Sequence, residues 1–218
     1  MTPTSPSSRA RKTSSKHPSP TPAPVVLPAM SKDEINALPV RAWEGPVLLV
    51  QDEETLNAAL SSLDRQKVLG FDTETRPTFT KGKSAPPALI QLATSETVYL
   101  IQLTHVPFNE RLAELLASPS VLKVGVAIGD DMKALGRVHS FRPGGMVDLA
   151  AMARARGVQA QGLRTLAASL LGFRISKAAQ CSNWENPELT RQQIKYAATD
   201  AWVGREIYLH LLKTAIPA

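Results

Sequence analysis

Val68-Leu69-Gly70-Phe71-Asp72-Thr73-Glu74-Thr75 reads as a short apolar strand, Val68 to Phe71, that runs straight into two carboxylates. Asp72 and Glu74 stand at i and i+2, and on an extended chain those positions point to the same face. Two like charges held side by side at a strand end repel unless a cation sits between them. A divalent cation suits the pair, because Mg2+ takes hard oxygen ligands and commonly uses one or two protein carboxylates plus a substrate phosphate. D-x-E is a common sequence, and a solvated turn at a strand end also accounts for it.

Two further acids arrive in the same manner. Lys123-Val124-Gly125-Val126-Ala127-Ile128-Gly129-Asp130-Asp131 again delivers carboxylates at the end of a strand, this time into the start of a helix. Acids there complement the helix dipole, so either Asp can be structural while the other faces a site. In Tyr196-Ala197-Ala198-Thr199-Asp200, the Tyr and Asp at i and i+4 share one helix face. Asp200 is a candidate ligand with Tyr196 one turn away to position a water. The alternative is a core tyrosine beside an exposed acid.

Around these motifs the periodicity alternates between strand and helix. Strands are expected at Val47–Val50, Val68–Phe71, Ala88–Ala93, Val98–Gln102, Val121–Val126 and Met146–Val147. The polar turn Thr94-Ser95-Glu96-Thr97 makes the third and fourth a hairpin. Helices are expected from a cap at Asp52 to Leu63, and over Asn109–Leu116, Gly129–Val138, Leu149–Arg156, Leu163–Leu171 and Thr190–Lys213. The order predicts a single α/β domain with a mixed sheet flanked by helices.

Bulk composition limits the rest. The chain has 218 residues, 43% hydrophobic and 20% charged, enough for one domain with a sizeable core. Its single cysteine, Cys181, excludes an internal disulfide. No apolar run approaches the ~20 residues that span a bilayer, so no membrane association is expected. No apolar core of a secretory signal is seen near the N-terminus. The default compartment is a bacterial-type cytoplasm, with a nucleus or organelle as alternatives.

The net charge of +6 sits mainly in one place. Residues 1–32 carry Arg9, Arg11, Lys12, Lys16 and Lys32 with no acid, which leaves 20 bases against 19 acids in residues 33–218. The basic character is therefore poor support for a nucleic-acid groove in the folded part. The Ser-, Thr- and Pro-rich start cannot bury enough surface to offset its ordering entropy, so residues 1–32 are expected to be a disordered tail. It serves solubility, nonspecific phosphate binding or targeting.

Taken in order, Phe71-Asp72-Thr73-Glu74, Asp131 after Val-Gly-Val-Ala-Ile, and Tyr196-x-x-x-Asp200 resemble the DEDD exonuclease superfamily, tyrosine-type branch. Ala88-Leu89-Ile90-Gln91-Leu92 and Cys181-Ser182-Asn183-Trp184 extend the resemblance over roughly residues 45–214. Within the superfamily, the chain is more similar to the exonuclease domain of the Werner-syndrome protein than to ribonuclease D. The histidine-type branch carries a His five positions before its last Asp, where this chain has Lys195, and none of its four histidines is placed to replace it.

The resemblance implies a ribonuclease H-like fold over residues 33–218 and a 3′→5′ exonuclease acting on a nucleic acid with a free 3′ end. DNA is expected over RNA, with ribonuclease D-like RNA trimming or a non-catalytic binding module as alternatives. It implies two divalent ions, Mg2+ or Mn2+, held by Asp72, Glu74, Asp131 and Asp200, with Tyr196 orienting the attacking water. It further suggests Thr73 at the terminal 3′-OH, Leu92 as an apolar wedge on the terminal base, and Asn183 and Trp184 along the strand path. Leu92 and Trp184 read equally well as core. The loop Arg76–Pro87, with Lys81 and Lys83, either holds phosphates or is an ordinary loop; it matches no one family member closely. With no accessory nucleic-acid-binding segment in view, modest processivity is expected. No protein partner is legible.

Overall fold

The computed structural model describes Met1 and residues 27–78 and 85–213. Residues 2–26 of the expected tail, and Lys81 and Lys83, lie outside the described residues.

Six strands form one mixed sheet: β1 (Val47–Val50), β2 (Val68–Thr75), β3 (Pro87–Ala93), β4 (Val98–Gln102), β5 (Leu122–Gly125) and β6 (Met146–Asp148), in the order β1-β4-β3-β2-β5-β6. The β2, β3 and β4 meander is antiparallel. The other pairings, β1 with β4, β2 with β5 and β5 with β6, are parallel.

Strand β2 is longer than its apolar run. The expected strand stopped at Phe71, but the ladder continues through Thr75, pairing Asp72 with Gln91 and Glu74 with Leu89 before a register shift at Glu74/Thr75. The partner strand β3 is fully buried along its seven residues and carries the polar end of β2 with it. The two carboxylates thus sit on a hydrogen-bonded strand rather than in a turn after it.

Helices α2 (Glu53–Leu63), α3 (Glu110–Ala117) and α4 (Ile128–Val138) cover one face. Their apolar sides close over Phe71, Ile90, Leu92 and Ile101. Side-chain oxygens of Asp52 and Asn109 accept from the backbone N–H of Thr55 and Leu112, capping α2 and α3. The long helix α7 (Arg191–Lys213), with Thr190 bonded to the Gln193 N–H, lies on the other face. It packs beside α5 (Leu149–Arg154) and α6 (Leu163–Leu166), and α6 continues as a π-helical turn, Ala167–Leu171. Gly70 makes the close approach of α7 possible: a Cβ there would stand 1.9 Å from the Ala201 carbonyl.

One helix was not expected. The sequence placed the end of the tail at residue 32, yet α1 (Lys32–Ala37) starts there, closed by a capping box between Ser31 and Glu34. Serine followed three residues later by glutamate is the pattern for such a box. Leu27 already joins the fold, donating to the Gly157 carbonyl and accepting from the Gln159 N–H.

Candidate active site

Strand alternation sorts the residues of β2. Gly70, Asp72 and Glu74 share the face that meets α7, whereas Thr73 turns toward α4. Asp72, Thr73, Glu74, Tyr196 and Asp200 line one cavity of about 610 Å3. Asp131, one turn into α4, does not line it. It stands behind, accepting a hydrogen bond from the Thr73 hydroxyl at 2.5 Å. The Thr73 backbone N–H donates to Asp72 Oδ1 at 2.9 Å. Asp130 points away and pairs with Lys133 at 2.9 Å, so the two adjacent acids divide between site and surface.

Helix α4 reaches this position through an unusual turn. Ala127, with φ 57 and ψ 23, is the one non-glycine residue of positive φ among the described residues. That conformation costs roughly 1–2 kcal/mol for an L-residue. It ends β5 and starts α4 within a few residues, which sets Asp131 against Thr73.

The electrostatics are those of crowded acids. Burial, then the Asp200 and Asp131 charges, holds the Asp72 carboxyl well above the usual range. Burial, then Asp72 and Asp200, raises Glu74 to about 9. Burial raises Asp200 to about 7 and Asp131 to about 6, with the Thr73 hydroxyl opposing the latter. Tyr196 lies beside Asp200, and burial, then the nearby acids, push its phenol upward. Such groups stay partly protonated unless positive charge enters the cavity.

The donor set fits divalent cations. Three carboxylates line the cavity, Asp131 stands behind them, and Asp200 Oδ1 is buried with no hydrogen-bond partner. Among the described residues no three His, Cys, Asp or Glu side chains stand close enough together to hold a metal ion by themselves. Ions held here would need substrate phosphate and water to complete their shells.

Three expected substrate residues are elsewhere. Leu92 is fully buried in the core under α2, α3 and α4, on the sheet face away from Asp72, so it is no wedge. Trp184 is likewise fully buried and backs Tyr196, ring centroids 6.0 Å apart; it cannot stack a base. Asn183 is outside the cavity, organising its own loop through Asn186 and Glu185. Arg76 is paired with Glu185 at 3.1 Å. Conversely, Arg164, Ser176 and Lys177 line the cavity and carried no signal in the sequence. They sit in segments brought to the site only by tertiary packing.

Residues 47–216 match the family described as 3′-5′ exonuclease. The chain belongs to that family. This exonuclease is 31% identical over 188 residues to exonuclease 3′-5′ domain-containing protein 2 of Mus musculus, covering 79% of this chain and 29% of that one. It is 35% identical over 164 residues to the mouse bifunctional 3′-5′ exonuclease/ATP-dependent helicase WRN, covering 72% and 12%. Among solved structures, the Aedes aegypti Nibbler EXO domain superposes with a TM-score of 0.72 at 30% identity, covering 81% of this exonuclease and 92% of that domain. The chain thus spans under a third of the length of these two curated relatives. Exonucleases of this family act on nucleic acid and work with divalent metal ions.

Proposed function

We propose that this chain is the catalytic domain of a 3′→5′ exonuclease that removes nucleotides singly, DNA in preference to RNA, by a two-metal mechanism. The observation that carries the reading is the meeting of Asp72, Glu74 and Asp200 in one cavity that Tyr196 also lines, with Asp131 tied in behind through Thr73. The preference for DNA rests on the resemblance to the Werner-type exonuclease domain, to which the chain is 35% identical over 164 residues.

Water adds across the bond between phosphorus and the O3′ of the penultimate nucleotide. The terminal nucleotide leaves as a 5′-monophosphate and the strand keeps a new 3′-OH. Asp72, Glu74, Asp200 and Asp131 would hold the ions, Mg2+ or Mn2+. When bound, these supply a water of lowered pKa and neutralise charge developing on the phosphate. Tyr196 keeps its proton, because its phenol is pushed further above neutral pH, so it donates a hydrogen bond and orients the water rather than acting as base. Thr73 fixes two of the four carboxylates and lines the cavity where the terminal sugar would rest.

The test is cleavage of 5′-labelled DNA and RNA with Mg2+, Mn2+ or chelator, beside Asp72→Asn. A metal-dependent ladder receding from the 3′ end, lost in the variant, supports the reading. No cleavage by folded wild-type protein would sink it, and faster cutting of RNA would overturn the DNA preference.

A further inference from the structure

Arg164 lies on the cavity wall formed by α6, a wall separate from β2 and α7, which carry the carboxylates. It is the one arginine among the described residues lining that cavity. Arg76, Arg111 and Arg205 each pair with an acid. Among the described residues Arg164 has no carboxylate within ion-pair distance. Its Nε is buried with no hydrogen-bond partner, and its Nη2 donates to the neutral Asn36 Oδ1 at 2.9 Å. A guanidinium is always charged and its forked donors match phosphate oxygens. With the Asn36 amide as its side-chain partner and no acid beside it, Arg164 on this wall keeps charge to offer an anion.

Asn36 belongs to α1, ahead of the family domain. The segment that carries it is pinned on both sides. Leu27 is bonded to Gly157 and Gln159, Pro39 and Arg41 exchange backbone bonds with Arg174, and the Trp43 N–H donates to Thr199 Oγ1 at 3.0 Å. Asn36 is thus presented to Arg164 by a fixed strap.

We propose that Arg164 is a phosphate-binding residue of this exonuclease, that it grips a backbone phosphate upstream of the bond that is cut, and that Asn36 is the positioning residue that holds it there. The inference rests on the exonuclease reading above. The phosphate under attack is taken by the carboxylate walls, so the one that meets Arg164 lies further along the strand. Such a contact fixes strand register and carries no base preference.

The experiment compares two substrates, an oligonucleotide and a dinucleoside monophosphate that has only the bond to be cut. Arg164→Gln is expected to lower kcat/KM on the oligonucleotide about tenfold, the scale of one lost charge-assisted hydrogen bond. The loss falls mainly in KM and exceeds that on the dinucleotide. The salt dependence of oligonucleotide binding loses about one phosphate contact. Arg164→Lys recovers part of both and guards against a folding defect in the Gln variant. Asn36→Ala moves KM the same way by less, and adds nothing in the Arg164→Gln background. Equal losses on both substrates, or an unchanged salt slope, overturn the upstream contact. Additive effects overturn the role of Asn36. If wild-type protein cuts neither substrate, the exonuclease reading falls and this one with it; if it cuts both and the variants match it, this inference alone falls.

Discussion

The Thr73 hydroxyl donates to Asp131 Oδ1 across 2.5 Å, and this bond ties β2 to α4 behind the Asp72 and Glu74 pair. Since the Thr73 N–H also donates to Asp72, one small residue fixes two acids. Thr73→Val keeps the side-chain shape and removes the hydroxyl. Outer partners of metal ligands typically matter by ~10–100-fold in metal affinity or activity. Thr73→Val is expected to raise the Mn2+ needed for half-maximal exonuclease rate about tenfold, while Thr73→Ser stays near wild type. A metal titration of the rate checks this, and an unchanged requirement in the Val variant would refute the link.

Tyr196 packs on the buried Trp184 ring and lines the cavity beside Asp200. Tyr196→Phe keeps the packing and removes only the hydroxyl. If that hydroxyl orients water, kcat falls roughly a hundredfold and the metal requirement does not move. A matching rise in the metal requirement would instead mark Tyr196 as a prop for Asp200. Rate measurements across a Mn2+ series separate the two.

Most of the sheet was legible because its strands are apolar runs bounded by turn residues, and the acids were legible because each follows or shares a periodic element. The pattern failed where tertiary contacts decide. Strand β2 runs past Phe71 because β3 pairs with it, which no local period shows. Leu92 and Trp184 are apolar residues next to recognisable motifs, but neighbours on the chain face opposite sides of a sheet or fold inward from a loop. Arg164 was invisible because its meaning comes from Asn36, 128 residues away. Helix α1 has a local signal in its Ser31–Glu34 box, but its six residues are too short to show a helical period beside the Pro-rich stretch before it.

The crowded acids make a prediction about metal-free protein. Asp72, Glu74 and Asp200 all titrate higher folded than unfolded, so between about pH 4, where unfolded carboxyls ionise, and their raised values the folded state binds more protons. Stability from these groups is full below the lower limit and is lost as pH rises toward about 7 for Asp200 and about 9 for Glu74. Lys123 works oppositely: burial depresses it to about 8, so its contribution grows only above that pH. Between pH 5 and pH 8 the Tm of chelated protein should therefore fall, and added Mn2+ should raise Tm more at pH 8 than at pH 5, since binding displaces protons. Thermal melts with and without metal decide it, and an equal metal effect at both values would count against these acids as the ligands.

Gly70 stands two residues before Asp72 on the same face of β2, and α7 rests directly on it. A Cβ there would meet the Ala201 carbonyl at 1.9 Å and Arg205 Cβ at 3.1 Å. Backbone oxygen cannot rotate aside as a side chain would, so Gly70→Ala must push α7 outward. Residue 201 follows Asp200, so the same shift draws Asp200 away from Asp72. Overpacking of this kind costs about 1–3 kcal/mol. The expected result is a lower Tm together with a loss of exonuclease rate that persists at temperatures where the variant is fully folded. Gly136→Ala in α4, where nothing lies within 4 Å of the added Cβ, is the control and should stabilise by up to about 1 kcal/mol. If Gly70→Ala lowers Tm but its folded form keeps full rate and metal affinity, then contact of α7 with β2 supports the fold without setting the spacing of the two carboxylates.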